Sequence, residues 1–482
     1  MARTLVQNGL FNPYKCEPHV RDTYHREILL EKYSTVLTIN TSLTRQHVSF
    51  QANKKTPFYR WFKYKEAFSS DLIRYLISTS QVSNDADRSI LDPFSGAGTA
   101  LTTAASLGWN AVGMEILPVG NAILKARIIA NNIDEKEFGT HIDRFFSTSS
   151  RKTRRAEYSY PHLRITKGAF SPGTEDSIAQ FVDFVQSINN EDIRYLFRFA
   201  CLCILEEISY TRKDGQYLRW DIRSGRNLKG NFVKGPISEF NAAMKVKLEI
   251  IREDIEKRES SIYRERVKII EGSCLHELPK LPDDAFDLVI TSPPYANRYD
   301  YTRTYALELA FLGVDEISLK NLRQTLLSCT VENRSKREEL RRLYMALELE
   351  ERYRDALLSF EKQDALYEIL EILNSAKKDN TLNNNNIPNL VENYFFEMNI
   401  VIRELARVLK PGGTIFMVND NVRYFGQEVP VDLILSNFAV EAGLIVDHIW
   451  FLSNGKGNSS QQMGEHGRTE LRKDVYHWTK PR

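Results

Sequence analysis

Several features that would mark a particular class of protein are missing from this sequence of 482 residues. It has five cysteines, scattered and odd in number, which excludes a disulfide framework and favours a reducing compartment. No run of eighteen apolar residues occurs, so no segment is expected to cross a membrane. The N-terminus lacks the charged start and apolar centre of a signal peptide. Together these absences predict a cytoplasmic protein.

An excess of charge of one sign is also missing. The 65 basic residues nearly balance the 63 acidic ones, so any surface for nucleic acid has to be a local patch. No His-Glu-x-x-His pattern is present, and Cys201 and Cys203 lie in an apolar helical stretch. We interpret this cysteine pair as core residues and predict no metal site.

Short apolar segments that alternate with helical stretches predict the fold. A strand at residues 89–92, a glycine-bearing turn, an alanine-rich helix and a strand at 110–116 form one parallel crossover unit. Further strands are predicted at 267–273, 286–290, 414–418, 448–452 and 474–478. The sequence therefore predicts an α/β fold with a doubly wound, Rossmann-like sheet of seven strands, helices on both faces and two long insertions.

The insertions divide the chain into five regions. Residues 1–120, 266–313 and 391–482 are predicted to form the core, while 121–265 and 314–390 interrupt it. In the second insertion, acids and bases alternate at helical spacing from residue 334 to 378. This pattern predicts a solvent-exposed helical pair.

The turn after the first strand reads Asp92-Pro93-Phe94-Ser95-Gly96-Ala97-Gly98-Thr99. Its two glycines allow the backbone to approach a ligand closely. Glu115 ends the second strand, where an acid accepts hydrogen bonds from two ribose hydroxyls. These features predict a ligand that contains adenosine, and they suit a nucleotide-dependent oxidoreductase as well as other enzymes.

A second motif, Ser292-Pro293-Pro294-Tyr295, follows the strand at 286–290. Two consecutive prolines cannot lie inside a central strand, so they form a stiff loop past its carboxyl end. This loop offers the Ser292 hydroxyl and the Pro293 carbonyl as fixed acceptors and Tyr295 as a flat aromatic face. An amino group on a planar base needs such acceptors, because its lone pair is delocalised and becomes nucleophilic only when its protons are held.

The two motifs together resemble the signature motifs of amino-group DNA methyltransferases. Ser-Pro-Pro-Tyr is the form most typical of the enzymes that methylate cytosine N4, whereas the adenine N6 enzymes more often begin the motif with Asp or Asn. The resemblance implies transfer of a methyl group from S-adenosylmethionine to an extruded base in double-stranded DNA. The catalytic residues that it implies are Ser292, Pro293, Pro294 and Tyr295.

The resemblance also implies the residues that bind S-adenosylmethionine. Asp92, Phe94, Gly96 and Gly98 are expected at the methionine end, Glu115 at the ribose, and Ser273 and Cys274 beside the adenine, although the family usually has an acid where Ser273 stands. The segment around residues 65–71 resembles the N-terminal cofactor motif. The full expected set is Phe68, Asp92, Pro93, Phe94, Gly96, Gly98, Thr99, Glu115, Ser273 and Cys274.

A basic segment in the first insertion is predicted to bind DNA. Residues 210–234 hold seven Lys/Arg against two Asp, with aromatic residues between them. Cations neutralise phosphates, and aromatic rings stack on unpaired bases. The predicted contacts are Arg212, Lys213, Tyr217, Arg219, Trp220, Arg223 and Arg226, and Tyr299, Tyr301 and Arg303 after the catalytic loop are also predicted to face DNA. A second basic cluster at residues 151–155 is interpreted as a solvated linker.

Several alternatives stay open from the sequence. Methylation of adenine N6 uses the same loop chemistry, and an oxidoreductase or a non-catalytic DNA-binding protein would belong to different classes. The family implies a role in a restriction–modification system, with a cognate restriction endonuclease as a possible partner. The sequence gives neither the recognition site nor the oligomeric state.

Overall fold

A computed structural model describes residues 23–80, 82, 87–148, 156–214, 217–227, 230–258, 263–452 and 471–482. The basic cluster at 151–155 lies outside the described residues. The strands in chain order are β1 (Leu37–Ile39), β2 (Ser89–Asp92), β3 (Asn110–Glu115), β4 (Thr211–Asp214), β5 (Tyr217–Trp220), β6 (Val267–Glu271), β7 (Phe286–Thr291), β8 (Leu409–Asp420), β9 (Val422–Tyr424), β10 (Gln427–Val429), β11 (Ile445–Phe451) and β12 (Lys473–Thr479).

Among the described residues, eight strands form one sheet in the order β1-β11-β12-β8-β7-β2-β3-β6. The run from β8 to β6 is parallel, and β12 is antiparallel to both of its neighbours. The predicted α/β fold is thereby confirmed. The sheet also has one strand more than predicted, because β1 pairs with β11 at the edge. With three residues, two of them exposed, β1 is too short to show a strand pattern in the sequence.

Helices cover the sheet and build the two insertions. In chain order they are α1 (Tyr24–Tyr33), α2 (Ser70–Thr79), α3 (Thr99–Ser106), α4 (Pro118–Ala130), α5 (Glu135–Thr148), α6 (Pro172–Gln186), α7 (Glu191–Ile208), α8 (Phe240–Glu256), α9 (Tyr263–Arg266), α10 (Cys274–Glu277), α11 (Tyr301–Thr304), α12 (Ala306–Phe311), α13 (Glu316–Thr325), α14 (Arg337–Ala346), α15 (Glu350–Glu361), α16 (Asp364–Lys378), α17 (Ile387–Val408) and α18 (Val431–Glu441). Each helix in the described part of the chain is too short or too polar to span a lipid bilayer.

The central strands are apolar on both faces because both faces are covered. Leu91 in β2 and Val289 in β7 pack in one hydrophobic cluster, while Ile90 and Leu288 pack in another. All four side chains are fully buried. Such continuous apolar runs are typical of parallel strands between helical layers, and the polar residues that follow them therefore gather at one edge of the sheet.

The second insertion differs from the predicted solvent-exposed helical pair. Residues 337–378 form three helices, α14, α15 and α16, and each has a buried face. Leu340, Phe360 and Leu373 are fully buried in the cluster that also contains α17. The prediction was wrong because the many charged residues of this segment made the apolar residues that recur at helical spacing difficult to recognise.

Candidate active site

A cavity lies at the carboxyl ends of β2, β3, β6 and β7, where the two sequence motifs meet. With its open mouth it spans about 720 Å³ of space between the surrounding side chains. Its lining includes most of the predicted cofactor residues and two of the loop residues, namely Phe68, Pro93, Phe94, Gly96, Thr99, Glu115, Ser273, Cys274, Ser292 and Pro294. The fold therefore brings the glycine turn and the double-proline loop to one site.

The glycine turn is shaped by steric constraints. Gly96 and Gly98 have φ of +51° and +70°, in the region that glycine adopts without strain. A Cβ on Gly98 would lie 2.6 Å from Leu124 Cδ1, so α4 packs directly against this turn. Thr99 begins α3, and its hydroxyl is buried beside the cavity with no hydrogen-bond partner among the described residues. A ligand in the cavity would supply that partner.

Two buried acids stand at the strand ends. Burial raises the pKa of Glu115 to about 7, although its carboxylate accepts a hydrogen bond of 2.6 Å from the Leu117 amide. Burial likewise raises the pKa of Asp92 to about 7, against hydrogen bonds from Thr291 and from the Phe94 amide. A cationic ligand in the cavity would favour the ionised form of both acids.

Asp92 acts differently from its predicted role at the methionine end. It is not among the described residues that line the cavity, and its Oδ1 accepts a hydrogen bond of 2.7 Å from Thr291 Oγ1. Thr291 is the residue before Ser292. Asp92 therefore links the end of β2 to the start of the double-proline loop. Gly98 is also absent from the described lining, since its role is the contact with α4.

The double-proline loop is held from the side of β9. Ser292 Oγ donates to Tyr295 Oη at 3.2 Å, which leaves the serine lone pairs free to accept from a ligand. The Tyr424 hydroxyl donates to the Ala296 carbonyl at 2.5 Å. Pro293 is buried and Tyr295 half-buried. Neither is among the described lining residues of the cavity.

A lysine and an aspartate that no sequence motif indicated flank Tyr295. Lys473 Nζ lies 3.5 Å from Tyr295 Oη and 5.2 Å from the centre of its ring. The same ammonium is 3.2 Å from Asp420 Oδ1 at the end of β8. Both residues are far from the motif in the sequence, and only the adjacency of β12 and β8 in the sheet brings them to it.

The cavity has further walls that sequence reasoning missed. Tyr64 and Glu66 precede Phe68, Tyr301 comes from α11, and Leu326 and Leu327 come from the second insertion. Tyr301 thus lines the cavity, whereas the sequence predicted that it faces DNA. The described lining contains Glu66 and Glu115 but no Lys, Arg or His, so the electrostatic field in the cavity favours a cation.

The predicted DNA-binding segment forms the hairpin β4–β5, and strand alternation divides its residues between two faces. Arg212 and Arg219 are exposed and lie directly opposite each other. Lys213 points the other way. Its side chain is 3% exposed, its ammonium lies 2.5 Å from Glu308, and it covers the rings of Phe62 and Tyr305. Lys213 therefore does not fit the predicted role in binding phosphate.

Other predicted DNA contacts are used to fold the segment. Trp220 is buried, and the Arg226 guanidinium lies 3.5 Å from the centre of its ring, so this ring is not available to stack on a base. Arg226 also donates to the Lys167 carbonyl at 2.6 Å. Arg223 makes two hydrogen bonds of 2.7 Å to the buried Asp221. The side chain of Tyr217 lies outside the described residues.

No protein-family model matches the sequence. The chain is 46% identical over 461 residues to the Type II methyltransferase M.AvaI of Nostoc sp. (strain PCC 7120), covering 94% of this chain and 92% of the relative. The M.AvaI protein of Anabaena variabilis matches to the same extent. The Type II methyltransferase M.BsoBI of Geobacillus stearothermophilus is 40% identical over 471 residues, with 94% and 91% covered. With this identity over nearly the whole length, and with both motifs at one cavity, the chain belongs to the family of type II DNA methyltransferases.

Proposed function

We propose that this protein transfers the methyl group of S-adenosylmethionine to the N4 amine of a cytosine extruded from double-stranded DNA, at a specific sequence. One observation carries the proposal. Ser292 and Pro294 of the Ser292-Pro293-Pro294-Tyr295 loop line the same cavity as the glycine turn and Glu115. A loop that holds an amine and a site for an adenosine ligand therefore share one space.

The charge of the cavity supports S-adenosylmethionine over a dinucleotide. The cofactor carries a sulfonium and an ammonium, which suit a cavity with Glu66 and Glu115 and without cations among its described lining residues. The pyrophosphate of NAD would bring two negative charges to the same place. The unpartnered Thr99 hydroxyl and the amides at the start of α3 suit the single carboxylate of S-adenosylmethionine.

The chemistry asks the protein to hold an amine rather than to form a covalent bond with it. The cofactor supplies an electrophilic methyl group on sulfur. Ser292 Oγ and the Pro293 carbonyl would accept hydrogen bonds from the two amine N–H groups, so that the nitrogen lone pair is directed at that methyl group. Methyl transfer would leave the cofactor as its thioether and the nitrogen with a positive charge, and one amine proton would then pass to solvent by way of Ser292 Oγ and the Pro293 carbonyl. Tyr295 offers its ring to the base, and Lys473 and Asp420 fix the position of that ring.

The choice of cytosine rests on the first residue of the loop. A serine hydroxyl stands where adenine N6 enzymes more often have an acid, which is why we favour cytosine N4. Mass spectrometry of nucleosides from DNA treated with the protein and S-adenosylmethionine tests this choice. We expect N4-methylcytosine. N6-methyladenine as the product would replace the proposed target base, and 5-methylcytosine would contradict the amine mechanism.

Two substitutions test the roles within the loop. Ser292→Ala removes an acceptor, and we expect kcat to fall roughly 100-fold or more while the affinity for S-adenosylmethionine is unchanged. Tyr295→Ala removes the stacking face, whereas the matched control Tyr295→Phe keeps it and should retain most of the activity. Unchanged methylation by both Ser292→Ala and Tyr295→Ala would contradict the catalytic assignment.

The hairpin β4–β5 is proposed to contact the DNA. Like charges directly opposite on a strand pair are unfavourable, yet Arg212 and Arg219 are register partners on the exposed face. Only Asp214, 3.1 Å from Arg219, offsets them nearby among the described residues. The hairpin is anchored to the segment before Phe68 and to Tyr305, because Lys65 donates to the Lys213 carbonyl and the Lys213 ammonium packs against Tyr305. These contacts support the proposal that both arginines meet DNA phosphates.

We also propose a role in a restriction–modification system, since the similar proteins are type II methyltransferases. Sequencing of methylated DNA from cells that express this chain gives the base and its sequence context together. We expect one short methylated sequence. Plasmid from these cells should then resist an endonuclease that cuts at that sequence, and full cleavage would contradict a protective role.

A further inference from the structure

The segment that follows the catalytic tyrosine is held at both ends. The Ala296 carbonyl accepts the Tyr424 hydroxyl, and the Tyr299 carbonyl accepts the Cys329 thiol at 3.4 Å. Asp300 then caps α11 by accepting the Arg303 amide at 3.1 Å. The residue in the middle, Arg298, is therefore fixed in position by its neighbours on either side.

Arg298 has a strained backbone. Its φ is +67°, in the left-handed region that a non-glycine residue adopts uncommonly. Such conformations persist where the surrounding structure forces them, and they cluster at functional sites. The hydrogen bonds at Ala296 and Tyr299 supply that constraint here.

The charge of Arg298 is unbalanced, unlike that of its neighbours. Arg303 and Arg323 lie 3.1 and 3.2 Å from the Asp300 carboxylate, and Arg303 also pairs with Glu332. Arg298 is partly buried and its Nε is buried without a hydrogen-bond partner. Among the described residues no carboxylate forms an ion pair with it. A partly desolvated guanidinium without an ion-pair partner favours an anion as its hydrogen-bond acceptor.

Two anions are available at this site, the carboxylate of the cofactor and the phosphates of DNA. Arg298 is not among the described residues that line the cofactor cavity, which argues against the carboxylate. Tyr295 and Arg298 are three residues apart, so their Cα atoms are separated by at most about 11 Å, a distance comparable with the size of a nucleotide. We infer that Arg298 binds a backbone phosphate next to the extruded nucleotide and so holds the target base against Tyr295. This inference rests on the proposed function.

Salt dependence of DNA binding tests the phosphate contact. The probe is an unmethylated duplex with the recognition sequence that is identified in cells, and it has 2-aminopurine at the target position. Arg298→Gly removes the cation and also relieves the backbone strain, so the variant is expected to fold. We expect the slope of log affinity against log salt to be less steep by about 0.9, a loss of affinity of roughly 10-fold or more, and a smaller rise in 2-aminopurine fluorescence. Arg303→Gln is the matched control, because Arg303 is already paired with Asp300, and its slope should not change.

Neutral phosphates identify the partner. Each phosphate around the target nucleotide is replaced in turn by a methylphosphonate. At one position the wild-type protein should lose affinity while Arg298→Gly loses nothing further. The inference is wrong if, at every position, the methylphosphonate lowers the DNA affinity of Arg298→Gly as much as that of the wild type. It is also wrong if the salt slope of Arg298→Gly equals that of the wild type. Methylation by the wild-type protein and its affinity for S-adenosylmethionine are measured in the same series. If the proposed function is wrong, the wild-type protein does not methylate the DNA. If only this inference is wrong, the wild-type protein still methylates it.

Discussion

The cavity at the strand ends and the hairpin β4–β5 differ in how well the sequence predicts the positions of their residues. Gly96, Thr99 and Glu115 line the cavity, whereas Asp92 and Gly98 are not among its described lining residues. In the hairpin, Lys213 and Trp220 are buried, and Arg226 covers Trp220. Each cavity motif lies at the end of a strand in the sequence, so the fold determines where its residues lie. A basic composition does not show on which face of the hairpin a side chain lies, because neighbouring residues of a strand point to opposite faces.

The largest expected effect concerns Lys213, which the sequence predicts to bind DNA. Lys213→Met should lower the free energy of unfolding by about 3–5 kcal/mol, because it leaves the buried Glu308 without its partner. Urea denaturation measures the change. Arg212→Met is the matched control on the exposed face, with an expected change within about 0.5 kcal/mol. A stable Lys213→Met protein with a less steep salt slope in DNA binding would return Lys213 to the DNA surface.

The next effect concerns the space around the glycine turn. Gly98→Ala should cost about 3 kcal/mol of unfolding free energy, since it adds backbone strain and places a Cβ against Leu124. Gly108→Ala is the control, because its φ of +85° imposes similar strain but nothing lies within 4 Å of the added Cβ. We expect about 1 kcal/mol there. Equal losses in denaturant titrations would show that packing against α4 does not shape the turn.

A third effect is the pH dependence of the protein without cofactor. Burial raises the pKa of Glu115 from 4.5 to about 7, so between these values the folded state binds more protons than the unfolded one. The contribution of Glu115 to stability is therefore full below pH 4.5 and declines as the pH rises to about 7. Glu115→Gln cannot ionise and should gain in unfolding free energy relative to the wild type between about pH 5 and pH 8, as urea midpoints will show.

Two further measurements complete this test. In Asp283→Asn the relative stability should not change between about pH 5 and pH 8, because Arg407 holds the pKa of Asp283 below its ordinary value. A cationic cofactor should bind the wild type more tightly as the pH rises through about 7, when Glu115 ionises. Parallel pH profiles for Glu115→Gln and the wild type would mean that the carboxylate titrates normally.

The smallest effect concerns the exposed face of the hairpin. Arg212→Gln and Arg219→Gln should leave thermal stability almost unchanged, because both side chains are exposed. Each substitution should make the salt slope of DNA binding less steep by about 0.9 for every phosphate that the arginine neutralises in the wild type. Fluorescence anisotropy with a labelled duplex measures the slope. An unchanged slope in the double variant would remove the hairpin from the proposed DNA surface.

Most of the sheet was predictable because buried parallel strands leave continuous apolar runs, as at Ile90-Leu91 and Leu288-Val289-Ile290. The short edge strand β1 left no such signal. In the site, the positions of Glu115 and Ser292 were predictable because Glu115 ends β3 and Ser292 follows β7, two strands whose carboxyl ends face the cavity. Lys473 and Asp420 were not, since they meet Tyr295 only through the pairing of β12 with β8.

The sequence alone determined the α/β architecture, the two motifs and their position after strands, because hydrophobic period, glycine and proline act locally on the backbone. The tertiary structure decided which cations face solvent, which side chains surround Tyr295, and that Asp92 holds Thr291 instead of lining the cavity. These properties depend on contacts between residues far apart in the chain. The burial of side chains and their pairing depend on packing, which the local sequence pattern of a segment does not predict.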